Sequence, residues 1–506
     1  MRSSPAPNGR PTTSVRPPAR RWLSLLLLLA FSPLRAQTPA DITHSATQPT
    51  GAPDCGCAQD LDFVVRYLER NLPAYPLDVT SQVRPAYERL KRRLRREAIQ
   101  RSTPTRCLPI LVAYVEFFRD QHTTIASSST GAAVNDRDSL AVRQFRASAG
   151  YQYAETVRLQ SARSHPLIAI EGQYQTTDST YQIQIQPSRT PFRDYVGVIV
   201  QSRTPLWTVG QVKLELQRLP NGGYRVIQYN RNHSASYLGE IRQEQGYLRG
   251  TSWQKLGVPL APRPITTPLT YRPLTATTSY LRIPSFNGGL HAQLDSVYRL
   301  IAAAPPQNLL IDVRGNGGGS DDNVVGLVPF FYTAPFENDQ REEYYVTPDN
   351  VQRLADYYRG MQRDSAGYGA AALQHLRTTL QWLQQAPAGQ FLADPTAMLK
   401  TFTGVATRPE RVVILYDRGC ASSCETLLFW AKHSTKTTLA GENSGGYVGY
   451  GNVFSVPTPC LGFVLTSTTL RLPNQVPYEA VGMTPDVFFK QDQDWLMQAQ
   501  RLLEQP

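Results

Sequence analysis

Val412-Val413-Ile414-Leu415-Tyr416, followed two residues later by Gly419-Cys420-Ala421-Ser422-Ser423-Cys424-Glu425, is the stretch on which the fold turns. An unbroken apolar run of this length is too short for a buried helix and reads as a strand covered on both faces. The small residues after it turn the chain into a helix expected over 423–433. A side chain at position 422 therefore stands at the carboxyl end of a buried strand, beside free helix N–H groups. That is a place for a nucleophile. Ser422 fits it, with the helix dipole and the N–H of Ser423 available to a developing oxyanion. The plainer reading of Ser422 is a helix N-cap, so the rest of the chain has to decide.

Working outward, a second buried strand over 308–313 ends in Arg314-Gly315-Asn316-Gly317-Gly318-Gly319. As a phosphate cradle this loop fails, because no Lys-Ser/Thr pair follows and the sixth position of a G-x-G-x-x-G is Ser320. As a strand-end loop whose bare backbone approaches a substrate it fits. One N–H from Gly317 or Gly318, with that of Ser423, would form an oxyanion hole. Around these strands the pattern is α/β: a strand at 280–284, a helix at 290–303, a strand near 438–440 followed by Gly441-Glu442, and strands through 463–466. Helical spacing within 340–405 (Leu354, Tyr357, Met361; Leu373, Leu376, Leu380, Leu383) reads as an elaboration between core elements. A last helix is expected over 491–506.

Upstream the character changes. Residues 22–31 are apolar, follow Arg20-Arg21 and precede Leu34-Arg35-Ala36, which reads as a signal peptide over 1–36 and an exported chain. The run is too short for a stable membrane span. Residues 37–57 read as a flexible start. Residues 58–149 read as a helical N-terminal domain, with Leu61, Val64, Val65, Leu68 and Leu72 at helical spacing. Over 150–255 the period becomes two (Tyr181, Ile183, Ile185; Val212, Leu214, Leu216), with turns such as Pro220-Asn221-Gly222-Gly223, so an antiparallel barrel or sandwich of about six to eight strands is expected, inserted as an independent unit. A Pro-rich linker over 256–279 leads into the core at 280–490. The expected class is multidomain α+β.

With 506 residues and 41% hydrophobic content, the chain can bury several cores. Its net charge of +12 is inflated by six leader arginines. Without them, 46 basic residues stand against 40 acidic ones, a net of +6. The run Lys91-Arg92-Arg93-Leu94-Arg95-Arg96 reads as a solvated helix face, and no aromatic platform accompanies it, which argues against nucleic acid. No CxxC or HExxH spacing points to a metal, and no cofactor is expected. Six cysteines permit 15 full pairings. Cys55 and Cys57 are too close to bridge each other, and Cys420 and Cys424, one helical turn apart, offer poor geometry. A bridge from either to Cys460 is a longer-range option.

Four further motifs join the serine: Leu310-Ile311-Asp312-Val313 with its glycine loop, Gly441-Glu442-Asn443-Ser444-Gly445-Gly446, Glu479-Ala480-Val481-Gly482-Met483-Thr484-Pro485-Asp486, and Asp120-Gln121-His122-Thr123. In order and spacing the set resembles the C-terminal-processing (tail-specific) and tricorn-like serine peptidases, serine peptidase family 41, over residues 280–490. The resemblance implies a ClpP/crotonase-like ββα core with Ser422 as nucleophile. Tyr447 stands where tail-specific members carry a lysine base, which puts this chain nearer the tricorn-like branch. There a histidine from the upstream helical region takes the proton, and His122 holds that place. Gln121 replaces the serine that precedes that histidine in the branch. Glu479 matches its supporting glutamate, with Asp120 as a second support; His433 is the competing base. Glu425 reads as structural, a carboxylate suited to the helix's first turn. The β-domain lies where many relatives carry a PDZ domain, but no Gly-Leu-Gly-Phe-like loop is present.

The resemblance thus implies a serine endopeptidase of the bacterial periplasm, outer envelope or exterior, acting on peptide or protein substrates. Two other readings use the same residues: an inactive homologue that binds a peptide or apolar ligand, and a β-domain ligand barrel for which the core is scaffold. Nothing in the sequence sets the oligomeric state.

Overall fold

The computed structural model describes residues 55–504 except 102, 129–132, 161–168, 221, 245, 258–267, 338–339, 364–369, 394–400, 403 and 491–493. The leader, most of the flexible start and the middle of the Pro-rich linker lie outside the described residues.

Six strands form the central sheet, in the order Thr270–Pro273, Thr278–Arg282, Asn308–Asp312, Arg411–Tyr416, Thr437–Gly441 and Val487–Phe488. All neighbours but the first pair are parallel. Parallel sheets are covered on both faces, which is why these strands read as unbroken apolar runs. Leu309, Ile311, Val412 and Ile414 face one core with the helices His291–Ala303 and Ser423–Ala431. Leu310, Val413 and Leu415 face another, closed by the helix Trp495–Glu504. Asp312 pairs with Leu415, so the glycine loop and the Ser422 turn leave the sheet side by side at its carboxyl edge.

The helices Cys57–Asn71, Arg84–Ile99 and Pro104–Val115 form the N-terminal bundle. The region is not wholly helical. Strand Thr124–Ser127 pairs antiparallel with Phe463–Ser467, opposing Thr124 to Thr466. This pairing fastens the turn just before it, which carries His122, to the C-terminal half of the chain. The disulfide Cys55–Cys460 adds a covalent tie between the same halves and Cys57–Cys107 one within the bundle, so the option of a bridge to Cys460 from the serine turn does not hold.

The β-domain is a nine-stranded antiparallel sheet from Gly172–Thr176 to Trp253–Lys255. Its two outermost strands, Ala235–Ile241 and Gln243–Glu244, are separated only by Arg242, so one bent strand curls the sheet toward closure in the manner of a barrel. It is not an independent unit, because Ile183, Val198, Leu214 and Trp253 share one core with Leu108 and Val112 of the bundle and with Ile125. Its polar row is not solvated either: Gln184, Gln186, Lys213 and Glu215 are all buried. The chain near Arg158–Gln160 crosses over that face, accepting hydrogen bonds from Gln186 and Gln184.

The elaboration within 340–405 contributes helices Pro348–Arg363 and Ala370–Gln385, with a core of their own. No helix among the described residues is long and apolar enough to cross a membrane.

Candidate active site

Ser422 sits at φ 55°, ψ −124°, a left-handed conformation that costs a residue with a Cβ about 1–3 kcal/mol unless its surroundings impose it. Three features impose it here. Glu425 N–H donates to the Ser422 carbonyl at 2.7 Å. The Glu425 carboxylate accepts the Ser422 N–H at 3.2 Å. A disulfide joins Cys420 to Cys424 across the turn, with Cα atoms 5.3 Å apart. This bridge corrects the sequence expectation, which treated the two cysteines as neighbours on a regular helix. Cys420 precedes the helix, and the left-handed turn brings the two together. Ser422 is therefore less a cap than an elbow, its hydroxyl without a hydrogen bond among the described residues.

Glu425 anchors this corner. Fully buried, it takes Ser444 Oγ at 2.5 Å and Gly446 N–H at 2.8 Å on Oε1, and Tyr447 N–H at 2.8 Å on Oε2 beside Ser422 N–H. Burial pushes its carboxyl up, and these donors pull it back toward the ionised form. Ser444, within the Gly441–Gly446 motif, carries a role that no sequence signal marks; it also accepts the N–H of Met483 at 2.7 Å.

The glycine loop lies directly against the elbow. A Cβ on Gly318 would come within 2.5 Å of the Ala421 carbonyl and 2.9 Å of both Ser422 Cβ and Ser423 N. Only glycine can approach so closely, and φ of +92° makes the same demand. The Gly318 N–H is committed to Asn316 Oδ1 at 2.9 Å. No such commitment is found among the described residues for the N–H of exposed Gly317 or that of Ser423, the first residue of the helix. Of the two glycine donors expected, Gly317 is the one left open.

The Asp120–Thr123 turn meets this corner through Tyr447. Asp120 accepts His122 N–H at 3.0 Å, Thr123 N–H at 3.3 Å, Thr123 Oγ1 at 2.6 Å and Thr468 Oγ1 at 2.7 Å. Glu479 accepts Gln121 N–H at 2.7 Å, Val448 N–H at 2.9 Å and Gly449 N–H at 2.6 Å. Both carboxylates thus grip backbone rather than the imidazole. Gln121 contributes its N–H, and Thr468 is a partner no local sequence signal marks. A ring nitrogen of His122 lies within 4.8 Å of an oxygen of each carboxylate, but Nδ1 is buried with no hydrogen-bond partner. The ring meets that of Tyr447 edge-on at 5.6 Å. Since Glu425 holds both Tyr447 N–H and Ser422 N–H, this contact links the histidine turn to the elbow.

Burial lowers the His122 pKa, the Asp120 charge opposing it, so the ring is neutral near pH 7. Burial, together with Asp120, pushes the Glu479 carboxyl up to about 8 against its three N–H donors. Although Asp120, His122 and Glu479 lie close enough to bracket an ion, their carboxylates are turned to donors, an arrangement unsuited to a cation. His433 stacks on Phe336 at 4.7 Å beyond the far end of the helix Ser423–Ala431, roughly 15 Å along its axis from Ser422.

A parallel sheet with a strained serine at a strand-to-helix elbow and a close glycine loop is an arrangement suited to a hydrolase of the serine-nucleophile kind. Residues 277–489 match the model of Peptidase family S41, and this part of the chain belongs to that family of serine-type peptidases. No curated protein matches the sequence. Among solved structures, mature CPAF aligns over 85% of this chain and 92% of its own at 13% identity, with a TM-score of 0.45. The photosystem II D1 C-terminal processing protease aligns over 89% and 97% at 13% identity, TM-score 0.36. The tricorn protease aligns over 86% of this chain and 34% of its own at 12% identity, TM-score 0.31.

Proposed function

We propose that the protein is an exported serine endopeptidase that works through an acyl-enzyme on Ser422 with His122 as general base. The observation that carries this reading is the strained Ser422 elbow, packed on Gly318 and tied through Glu425 and Tyr447 to the half-buried His122 ring.

Neutral His122 takes the hydroxyl proton as Ser422 Oγ bonds to the peptide carbonyl carbon. The oxyanion is met by the N–H groups of Gly317 and Ser423. Protonated His122 then passes its proton to the leaving amine as the C–N bond breaks, leaving an ester on Ser422. Water, deprotonated by the same ring, hydrolyses that ester and restores the hydroxyl. Tyr447, where a lysine base would otherwise stand, packs against the ring that replaces it. Glu479 and Asp120 hold the turn that presents the ring.

The test is digestion of an unfolded protein by the purified chain, with product peptides mapped by mass. Internal cleavage that disappears in Ser422→Ala and in His122→Ala is expected; cleavage surviving Ser422→Ala refutes the assignment. Export rests on the leader over 1–36 and on six cysteines all paired in disulfides. It is checked by finding the mature N-terminus just after Ala36 in an extracytoplasmic fraction.

A further inference from the structure

Lys213 is a buried amine that the peptidase chemistry does not use. It projects from strand Val212–Arg218 on the polar row of the β-domain and is 3% exposed. Its neighbour on that row, Glu215, is satisfied by Tyr229 Oη at 2.6 Å and lies 3.5 Å from Arg193. Lys213 has no carboxylate and no hydrogen-bond acceptor among the described residues. Its ammonium instead lies 3.9 Å from the ring centre of Trp207 and 4.3 Å from that of Tyr181. Aromatic faces soften the burial of a cation but do not neutralise it.

The same lysine lines a cavity of about 270 Å³ together with Tyr181, Gln228, Arg231 and Trp253. A second polar group there is also unpartnered: the Tyr181 hydroxyl is buried without a hydrogen bond. Gln228 accepts the Trp253 indole N–H on Oε1, which leaves its amide NH2 as a further donor. Arg231 is already paired with Asp136. Asp178, on the same wall, spends its carboxylate on Thr176 Oγ1, Thr180 N–H and Thr180 Oγ1 at 2.6–2.9 Å. The cavity therefore offers donors and one amine without a carboxylate partner, beside the flat rings of Tyr181 and Trp253.

We propose that this cavity is a second binding site, which takes a small organic carboxylate with its charge on Lys213 and its flat apolar body against Trp253 and Tyr181. A monoanion matches one ammonium, since Arg231 is spent and the second charge of a dianion would find no free cation beside Lys213. The volume, just under the ~300–1,000 Å³ of drug-sized sites, limits the occupant to a small molecule. Burial, with the charge of Arg231 beside it, holds the Lys213 amine well below its ordinary value, and a bound carboxylate relieves both penalties. This site lies in the β-domain and does not depend on the peptidase assignment.

The test is isothermal titration of the full-length mature chain with benzoate, with inorganic phosphate as the dianion control. Saturable one-site binding of benzoate, stronger than that of phosphate, is expected. Lys213→Met should weaken it at least tenfold, with its fold checked by circular dichroism. Tyr181→Phe removes only a hydroxyl that has no partner, so it should leave the fold intact and weaken binding about three- to tenfold. Ser422→Ala should bind as the wild type does. No saturation by roughly 20 mM, tighter binding of phosphate, or undiminished benzoate binding in folded Lys213→Met or Tyr181→Phe would overturn the proposal.

Discussion

Glu425 is where the elbow can be probed without touching the nucleophile. Replacement by glutamine keeps the shape and removes one acceptor. Each carboxylate oxygen now serves two donors, Ser444 Oγ and Gly446 N–H on one, Ser422 N–H and Tyr447 N–H on the other. If the amide oxygen keeps the Ser422 side, its NH2 faces Ser444, whose hydroxyl can rotate to accept. Gly446 N–H cannot do so. One buried donor is then stranded, at a cost of about 1–3 kcal/mol, which speeds local opening roughly 5- to 150-fold. Hydrogen exchange read by mass on peptides spanning 442–450 measures this without assuming two-state unfolding of a multidomain chain. Faster exchange confined to that loop and the start of the Ser423–Ala431 helix is expected, with the β-domain unchanged. Unaltered exchange at 442–450, or an equal rise in the β-domain strands, would refute the reasoning.

Gly318→Ala forces a Cβ to within 2.5 Å of the Ala421 carbonyl at a φ of +92°, so it should displace Ser422 and lower kcat/KM by at least tenfold, measured on a peptide substrate with the fold monitored by circular dichroism. Opening the Cys420–Cys424 bridge, by the double alanine variant, removes a short closed loop worth about 2 kcal/mol in chain entropy. The expected readout is a lower midpoint in urea and a slower acylation rate. The pH profile follows from His122: burial holds its pKa below the ordinary ~6.5. The base form persists to lower pH, so the acid limb of kcat/KM should fall below pH ~6.5 and be flat through neutrality. An acid limb centred above 7 would contradict the assignment.

The mixed α+β class and the peptidase core were legible because a parallel sheet writes its strands as apolar runs, and Val412–Tyr416 and 308–313 are such runs. The elbow was legible from small residues placed just after one of them. The Cys420–Cys424 bridge was hidden because helical spacing was assumed at a turn that Ser422 makes left-handed. The reach of His122 was legible only through its motif. Physically it depends on pairing Thr124–Ser127 with Phe463–Ser467, a contact between distant parts of the chain that no local periodicity records. Thr468 lies one residue past that strand and was missed for the same reason. In the β-domain, alternation correctly marks strands but does not say whether the polar residues between the apolar ones face solvent. A polar row is exposed only if nothing crosses it, and here the chain near Arg158–Gln160 covers Gln184 and Gln186 while Trp207 and Tyr181 pack on Lys213.

Whether Ser422 is activated with His122 as its base is read from reaction with a fluorophosphonate probe, followed by intact mass. The account predicts one adduct on the wild-type chain, none on Ser422→Ala, and a labelling rate reduced by about 10²–10⁴-fold in His122→Ala, the usual contribution of a general base. An adduct that persists in Ser422→Ala, or labelling of His122→Ala at the wild-type rate, would contradict it.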